Sequence, residues 1–137
     1  MRIITVNLNG IRSATNKGFY AWLAQQDADI ICLQEIKAQA ADMTPQMLAP
    51  EGYHGYFHYA EKKGYSGVGL YCRSKPQRIA EGLGMTEFDI EGRYLCADFS
   101  DSEAGFSVVS VYLPSGSSGE ERQAMKFKFM AALCRIC

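Results

Sequence analysis

Residues 2–6 form a β-branched apolar run stopped by Asn7-Leu8-Asn9-Gly10, and residues 29–33 form a second apolar run stopped by Gln34-Glu35. Runs of this length and content, bounded by turn residues, predict two buried strands. Between them Phe19, Trp22 and Leu23 recur at helical spacing, and Gln25-Gln26-Asp27 closes the segment, so the unit reads strand, helix, strand. Such a crossover pairs its strands parallel and right-handed. Parallel neighbours end at the same sheet edge, which brings Asn7, Asn9 and Glu35 together where open sheets commonly bind ligands.

The texture then changes. Residues 53–59, 67–72, 93–99 and 106–113 are short strand-like runs divided by glycine-rich or acidic loops, a pattern that predicts mostly antiparallel pairing. The last of them is the clearest strand, and Pro114-Ser115-Gly116-Ser117-Ser118-Gly119 prevents its continuation and delays any helix until Glu120. In the helix that follows, Met125, Phe129, Met130 and Leu133 share one face, expected to be core. No internal repeat, low-complexity tract or linker interrupts the chain.

Composition narrows the class. A chain of 137 residues with 47% hydrophobic and 21% charged residues is expected to form one soluble globular unit. No apolar run approaches the roughly 20 residues that span a bilayer, and the start lacks a signal-peptide layout, so a cytoplasmic location without membrane association is expected. Five cysteines, an odd number set in apolar stretches and at the tail, read as reduced thiols; Cys134-Arg135-Ile136-Cys137 has redox or half-zinc spacing but no second pair. The net charge of −1 argues against a uniformly basic surface, so nucleic-acid contact must be local, with Arg12, Lys17, Lys37, Lys62, Lys63 and Arg93 as the candidate cations.

Glu35 follows an apolar strand directly, and a carboxylate held at such a mouth needs a partner. A bound cation would serve: Mg²⁺ takes few protein carboxylates, keeps several waters and meets phosphate oxygens, so Glu35 with a neighbouring Asn makes a partial shell. Capping of backbone amides, or pairing with Lys37, is the alternative role. Asn7 and Asn9 are equally suited to turn formation before Gly10. Tyr112 ends the clearest strand beside a loop whose hydroxyls and amides, Ser115 included, suit an anion. The segment Glu61-Lys62-Lys63-Gly64-Tyr65-Ser66-Gly67 mixes basic, glycine and aromatic residues suited to a phosphate backbone, or forms an ordinary hairpin loop. His54 and His58 lie in a strand-like run, too far apart for chelation, and a structural or surface role is expected. No nucleophile elbow, Walker loop or dinucleotide fingerprint is present.

Five segments follow one another along the chain: Ile4-Thr5-Val6-Asn7-Leu8-Asn9-Gly10-Ile11-Arg12, Leu33-Gln34-Glu35-Ile36-Lys37, Gly64-Tyr65-Ser66-Gly67-Val68-Gly69, Glu91-Gly92-Arg93 and Tyr112-Leu113-Pro114-Ser115-Gly116. Their order resembles the exodeoxyribonuclease III family of apurinic/apyrimidinic endonucleases, within the endonuclease/exonuclease/phosphatase superfamily. The resemblance implies an α/β (α+β) fold, the N-terminal half of a four-layer αββα sandwich of two mixed sheets flanked by helices. It also implies Mg²⁺-dependent hydrolysis of duplex DNA on the 5′ side of abasic sites, with 3′-to-5′ exonuclease and 3′-phosphatase activities; Mn²⁺ is the alternative ion. Carried over by residue, Glu35 and Asn9 become metal ligands. Asn7 orients a water-activating Asp, Tyr112 contacts the phosphate, and Arg12, Gly64 and Tyr65 grip the backbone. Asn9 stands where some relatives carry Asp, a stronger ligand.

The family's second half, with its Gly-Asp-x-Asn segment, tryptophan-bearing loop and closing Ser-Asp-His, has no counterpart here. Residues 1–137 are therefore expected to be a partial domain lacking its C-terminal half, inactive or severely impaired alone. A frameshift or premature stop would account for the tail. A monomer is expected at full length, and self-association or aggregation for the fragment. Two other classes stand beside this reading: a phosphatase acting on a non-nucleic substrate, and a non-catalytic fragment that binds DNA or a partner.

Overall fold

A computed structural model describes residues 1–100, 104–117 and 119–136; Ser118 and Cys137, named above, lie outside the described residues. Strand β1 (Ile3–Asn7) pairs parallel with β2 (Ile30–Gln34), Ile3 opposite Ile30 and Asn7 opposite Gln34. The crossover is two short helices, α1 (Ile11–Asn16) and α2 (Phe19–Ala24), rather than the single helix expected. Gly18, in the left-handed region at φ 89, turns the chain between them. Phe19 and Leu23 are buried, whereas Trp22 is 42% exposed: a six-residue helix has room for only one apolar stripe against the sheet.

After the 3₁₀ turn Ala40–Asp42 and the single-turn helix α3 (Pro45–Leu48), β3 (His54–His58) and β4 (Val68–Cys72) pair antiparallel, and β4 joins β2 antiparallel. The first sheet is thus ordered β1-β2-β4-β3. A second sheet, β5 (Arg78–Glu81), β6 (Tyr94–Phe99) and β7 (Phe106–Val111), is antiparallel and ordered β5-β6-β7. The single-turn helix α4 (Thr86–Asp89) joins β5 to β6. The expected strand around residues 106–113 ends two residues early, although Tyr112 N still donates to Arg93 O at 2.9 Å.

The two sheets lie face to face, β7 against β2 and β4, and β6 against β4 and β3. Alternation splits β2 between two cores: Ile31 and Leu33 meet Phe19, Leu23 and Met47 on the helical side, while Ile30 and Cys32 meet Leu70, Leu95, Ala97 and Val108 between the sheets. Burial on both faces explains why β2 and β4 read as continuous apolar runs. Helix α5 (Glu120–Ile136) lies on the far side of the second sheet, where Ile136 lines a cleft with Ala80, Tyr94, Cys96 and Val109. The order is helices, sheet, sheet, helix, as the αββα expectation requires.

The expected apolar face of α5 is buried only in part. Phe129 is fully buried against Phe88, ring centroids 5.1 Å apart, but Met130 is 40% exposed and Met125 and Leu133 are half-buried. One flank of the sandwich is also open. Ile3, Thr5 and Asn7 face the same way as Ile30, Cys32 and Gln34, yet Ile3 is 48% exposed because the second sheet does not extend over β1. Cys32, Cys72 and Cys96 are buried free thiols, as expected. No helix among the described residues is long and apolar enough to cross a membrane.

Candidate active site

Past β1 and β2 the chain runs in polar-apolar-polar steps. Leu8, Ile11 and Ile36 are buried in the helical-side core and anchor the two turns, while Asn7, Asn9, Glu35 and Lys37 alternate with them and face outward. Backbone bonds fasten the turns to each other: Leu8 N to Gln34 O, Gly10 N to Glu35 O and Ile11 N to Ile36 O, each 2.9 Å. Lys37 N donates to Ser66 O at 2.8 Å, which joins the loop before β4 to the same edge. These tight turns need left-handed backbone at Asn9 (φ 47), Glu35 (φ 53), Lys37 (φ 50) and Ser66 (φ 48). Asn tolerates that region; Glu, Lys and Ser cost about 1–3 kcal/mol each there, and such strain gathers at working sites.

The side chains converge. Tyr112, from the second sheet, donates its hydroxyl to Glu35 Oε1 at 2.6 Å across a separation of 77 residues. Lys37 Nζ lies 3.4 Å from Glu35 Oε2 and donates to Asn9 Oδ1 at 2.6 Å. Asn7 Oδ1 accepts from Asn9 N at 2.9 Å, fixing the turn. The Tyr112 hydrogen bond holds the Glu35 carboxyl below its usual range against the opposing effect of burial, and the Asn7 and Lys37 side chains add to the lowering. Burial, then the neighbouring Glu35 carboxylate, pushes the Tyr112 phenol up to about 12, so it keeps its proton and remains a donor.

Behind Tyr112 sits a group whose role the sequence did not disclose. Arg93, read above as a candidate nucleic-acid contact, is 2% exposed and unavailable to a phosphate. Its Nε donates to Glu91 Oε2 at 2.5 Å, Nη1 to Tyr112 O at 3.2 Å and Nη2 to the Tyr65 hydroxyl at 2.7 Å. Its guanidinium also lies 5.3 Å from the Tyr112 ring centroid. Ser110 is likewise absent from the sequence reading: it is fully buried and donates to Leu33 O at 2.8 Å, tying the two sheets together below the site. A serine in a strand gives no local signal of such a contact.

The remaining candidates lie around this centre. Arg12 is exposed, donates to Lys37 O at 3.0 Å and approaches Asp42 at 3.9 Å. Gly64 is exposed at the tip of its loop, while half-buried Tyr65 turns inward to Arg93. Ser115 is exposed and bonds Ser117 within its own loop, 2.7 Å between hydroxyls. His58 Nδ1 lies 2.9 Å from Tyr94 O, the structural role expected for it. A cavity of ≈ 260 Å³ lined by Met1, Asp29, Ile30, Ser74, Phe99 and Phe106 opens at the opposite strand ends, far from Glu35.

Two hard oxygens from two strand ends, Glu35 Oε2 and Asn9 Oδ1, already face a single positive group, the Lys37 ammonium. One carboxylate and one amide oxygen suit Mg²⁺ or Mn²⁺ better than a soft ion. The described residues contain no group of three or more His, Cys, Asp and Glu, so they form a partial shell and not a complete cage.

A face-to-face pair of sheets with helices outside, and a strand-end carboxylate held by a tyrosine from the other sheet, defines a class. Residues 4–132 match the Endonuclease/Exonuclease/phosphatase family, and the chain belongs to it. It is 39% identical over 134 residues to an exodeoxyribonuclease of Bacillus subtilis, covering 97% of this chain and 50% of that one. To the DNA repair nuclease APEX1 of Danio rerio it is 37% identical, over 99% of this chain and 44% of that one. Among solved structures, the APE2 catalytic domain of Xenopus laevis superposes with a TM-score of 0.79 at 35% identity, covering 97% of this chain and 52% of that one. An AP endonuclease from Archaeoglobus fulgidus gives 0.80 at 28%, covering 97% and 49%. The resemblance read from the five segments is thereby borne out, and the chain spans about half the length of these relatives.

Proposed function

We propose that the protein is a DNA-repair nuclease that hydrolyses phosphodiesters on the 5′ side of abasic sites in duplex DNA, with 3′-to-5′ exonuclease and 3′-phosphatase activities. The observation that carries this reading is the convergence of Glu35 and Asn9 on one cation at the shared end of two parallel strands. Glu35 and Asn9 would hold Mg²⁺, or Mn²⁺ in its place. When bound, the ion supplies electrostatic stabilisation of the charge that develops on the phosphate oxygens.

The chain's own residues define the rest. Tyr112 fixes Glu35 with its single O–H and stays protonated, so that O–H would have to leave Glu35 Oε1 to meet a phosphate oxygen. Arg93 holds Tyr112 and Tyr65 in one relation. Arg12, Lys37, Gly64 and Ser115 are the candidate contacts to the DNA backbone, and a missing base favours recognition because its nucleotide costs less to extrude. Asn7 would orient a water-activating group rather than activate water itself, since an amide is no base. A general base commonly contributes about 10²–10⁴-fold, so residues 1–137 alone should be severely impaired. The proposed setting is a cytoplasmic monomer.

The test is a duplex with one abasic site, incubated with the purified chain plus Mg²⁺ or a chelator, beside Glu35→Ala. Retention of the duplex, weakened by substitution at Arg12 and Lys37, with little or no cutting, is the expected result. Efficient chelator-sensitive cutting lost in Glu35→Ala would refute the claim of impairment. Failure to retain the duplex would refute the nucleic-acid reading and favour a phosphatase ancestry on other substrates.

A further inference from the structure

Lys37 is more than a candidate phosphate contact. Its backbone is fixed at both sides, N to Ser66 O at 2.8 Å and O from Arg12 Nη2 at 3.0 Å, in a left-handed conformation at φ 50. That strain returns the side chain across its own turn, so that Nζ contacts Asn9 Oδ1 at 2.6 Å and Glu35 Oε2 at 3.4 Å. These are the two oxygens best suited to a hard divalent ion. A Mg²⁺ ion needs oxygens at about 2.0–2.1 Å, which an ammonium on the same oxygens obstructs by both contact and charge.

We propose that Lys37 is an internal cation that occupies the divalent ion's place between Glu35 and Asn9 and must swing aside before the ion binds. The inference rests on the metal site proposed above. The swing is open to it: the side chain is 37% exposed and its flexible stem reaches solvent without disturbing the backbone bonds that hold the turn. Lys37 thereby neutralises the strand-end carboxylate when no ion is present and lowers the site's affinity for one. Once displaced, the ammonium is free to turn to a phosphate oxygen.

The test titrates Mn²⁺ into wild type, Lys37→Met, Glu35→Gln and the double variant at neutral pH, following free Mn²⁺ by electron paramagnetic resonance. Circular dichroism confirms folding of each. Removing a unit charge beside a divalent ion should tighten binding about tenfold in Lys37→Met, and Glu35→Gln should abolish the gain. Equal or weaker binding in Lys37→Met, with Glu35→Gln still lowering it, would overturn the proposal and leave the site standing. Binding indifferent to Glu35→Gln would show instead that the site itself is misassigned, and the proposal would fall with it.

Discussion

Replacing Tyr112 by phenylalanine removes one oxygen and cuts the link between the two sheets at the site. The hydroxyl donates to Glu35 Oε1 at 2.6 Å, and the Glu35 side chain is 17% exposed. A hydrogen bond to a charged group contributes about 1.5–3 kcal/mol, and residual exposure places this one near the lower end, about 1.5 kcal/mol. With a urea slope of about 1–3 kcal/mol per molar, the midpoint at neutral pH should fall by roughly 0.5–1.5 M. The pH dependence is the sharper readout. Glu35 is depressed when folded, so its contribution is present above the ordinary glutamate pKa and is lost as pH falls through the folded value. The gap between wild type and Tyr112→Phe should therefore be widest at neutral pH and close in acid. Carbon-detected NMR titration of the Glu35 carboxyl should show its pKa rising in the variant. An unmoved Glu35 titration would refute the coupling, whatever the change in midpoint.

Arg93→Met should destabilise the fold by about 3 kcal/mol, since it removes the ion pair of Glu91 and leaves the Tyr65 hydroxyl and Tyr112 carbonyl without their donor; urea unfolding measures it. Hydrogen exchange in the loop around Tyr65 should quicken in the same variant, and an unaltered loop would argue against Arg93 as its anchor. Gly92→Ala should cost about 3 kcal/mol or more and read out as a lowered Tm: at φ 58 a Cβ would stand 2.6 Å from Ala60 N and His58 O. Burial raises Cys32 to about 11 and Cys72 to about 12, so a thiol reagent at neutral pH should label exposed Cys134 and reach those two only on unfolding. Labelling of Cys32 or Cys72 in the folded chain would contradict that burial.

The sequence by itself determined the elements whose cause is local. Strands β1, β2, β3, β4, β6 and β7 were legible because their side chains alternate or run apolar between turn residues, and the strand-helix-strand unit implied the parallel pair that unites Asn7, Asn9 and Glu35. Strand β5 was not: Arg78-Ile79-Ala80-Glu81 has two polar ends and gains its place only by pairing with β6. The splitting of the first helix at Gly18 and the single turns α3 and α4 were equally hidden, as elements of four to six residues carry too little periodicity to detect.

Tertiary structure decided everything that depends on distance along the chain. Tyr112 meets Glu35 only because β7 packs over β2, a relation no local pattern encodes. Tertiary contacts also buried Arg93, whose position before a strand resembled that of any solvated cation, and left Trp22 and Met130 exposed, although their spacing resembled core. The contact of Lys37 with Asn9 and Glu35 arose from left-handed turns at residues that ordinarily avoid them, held by backbone bonds between segments far apart in sequence. Residue type supplied the carboxylate, the amides and the ammonium, and the stacking of two sheets turned them into a site.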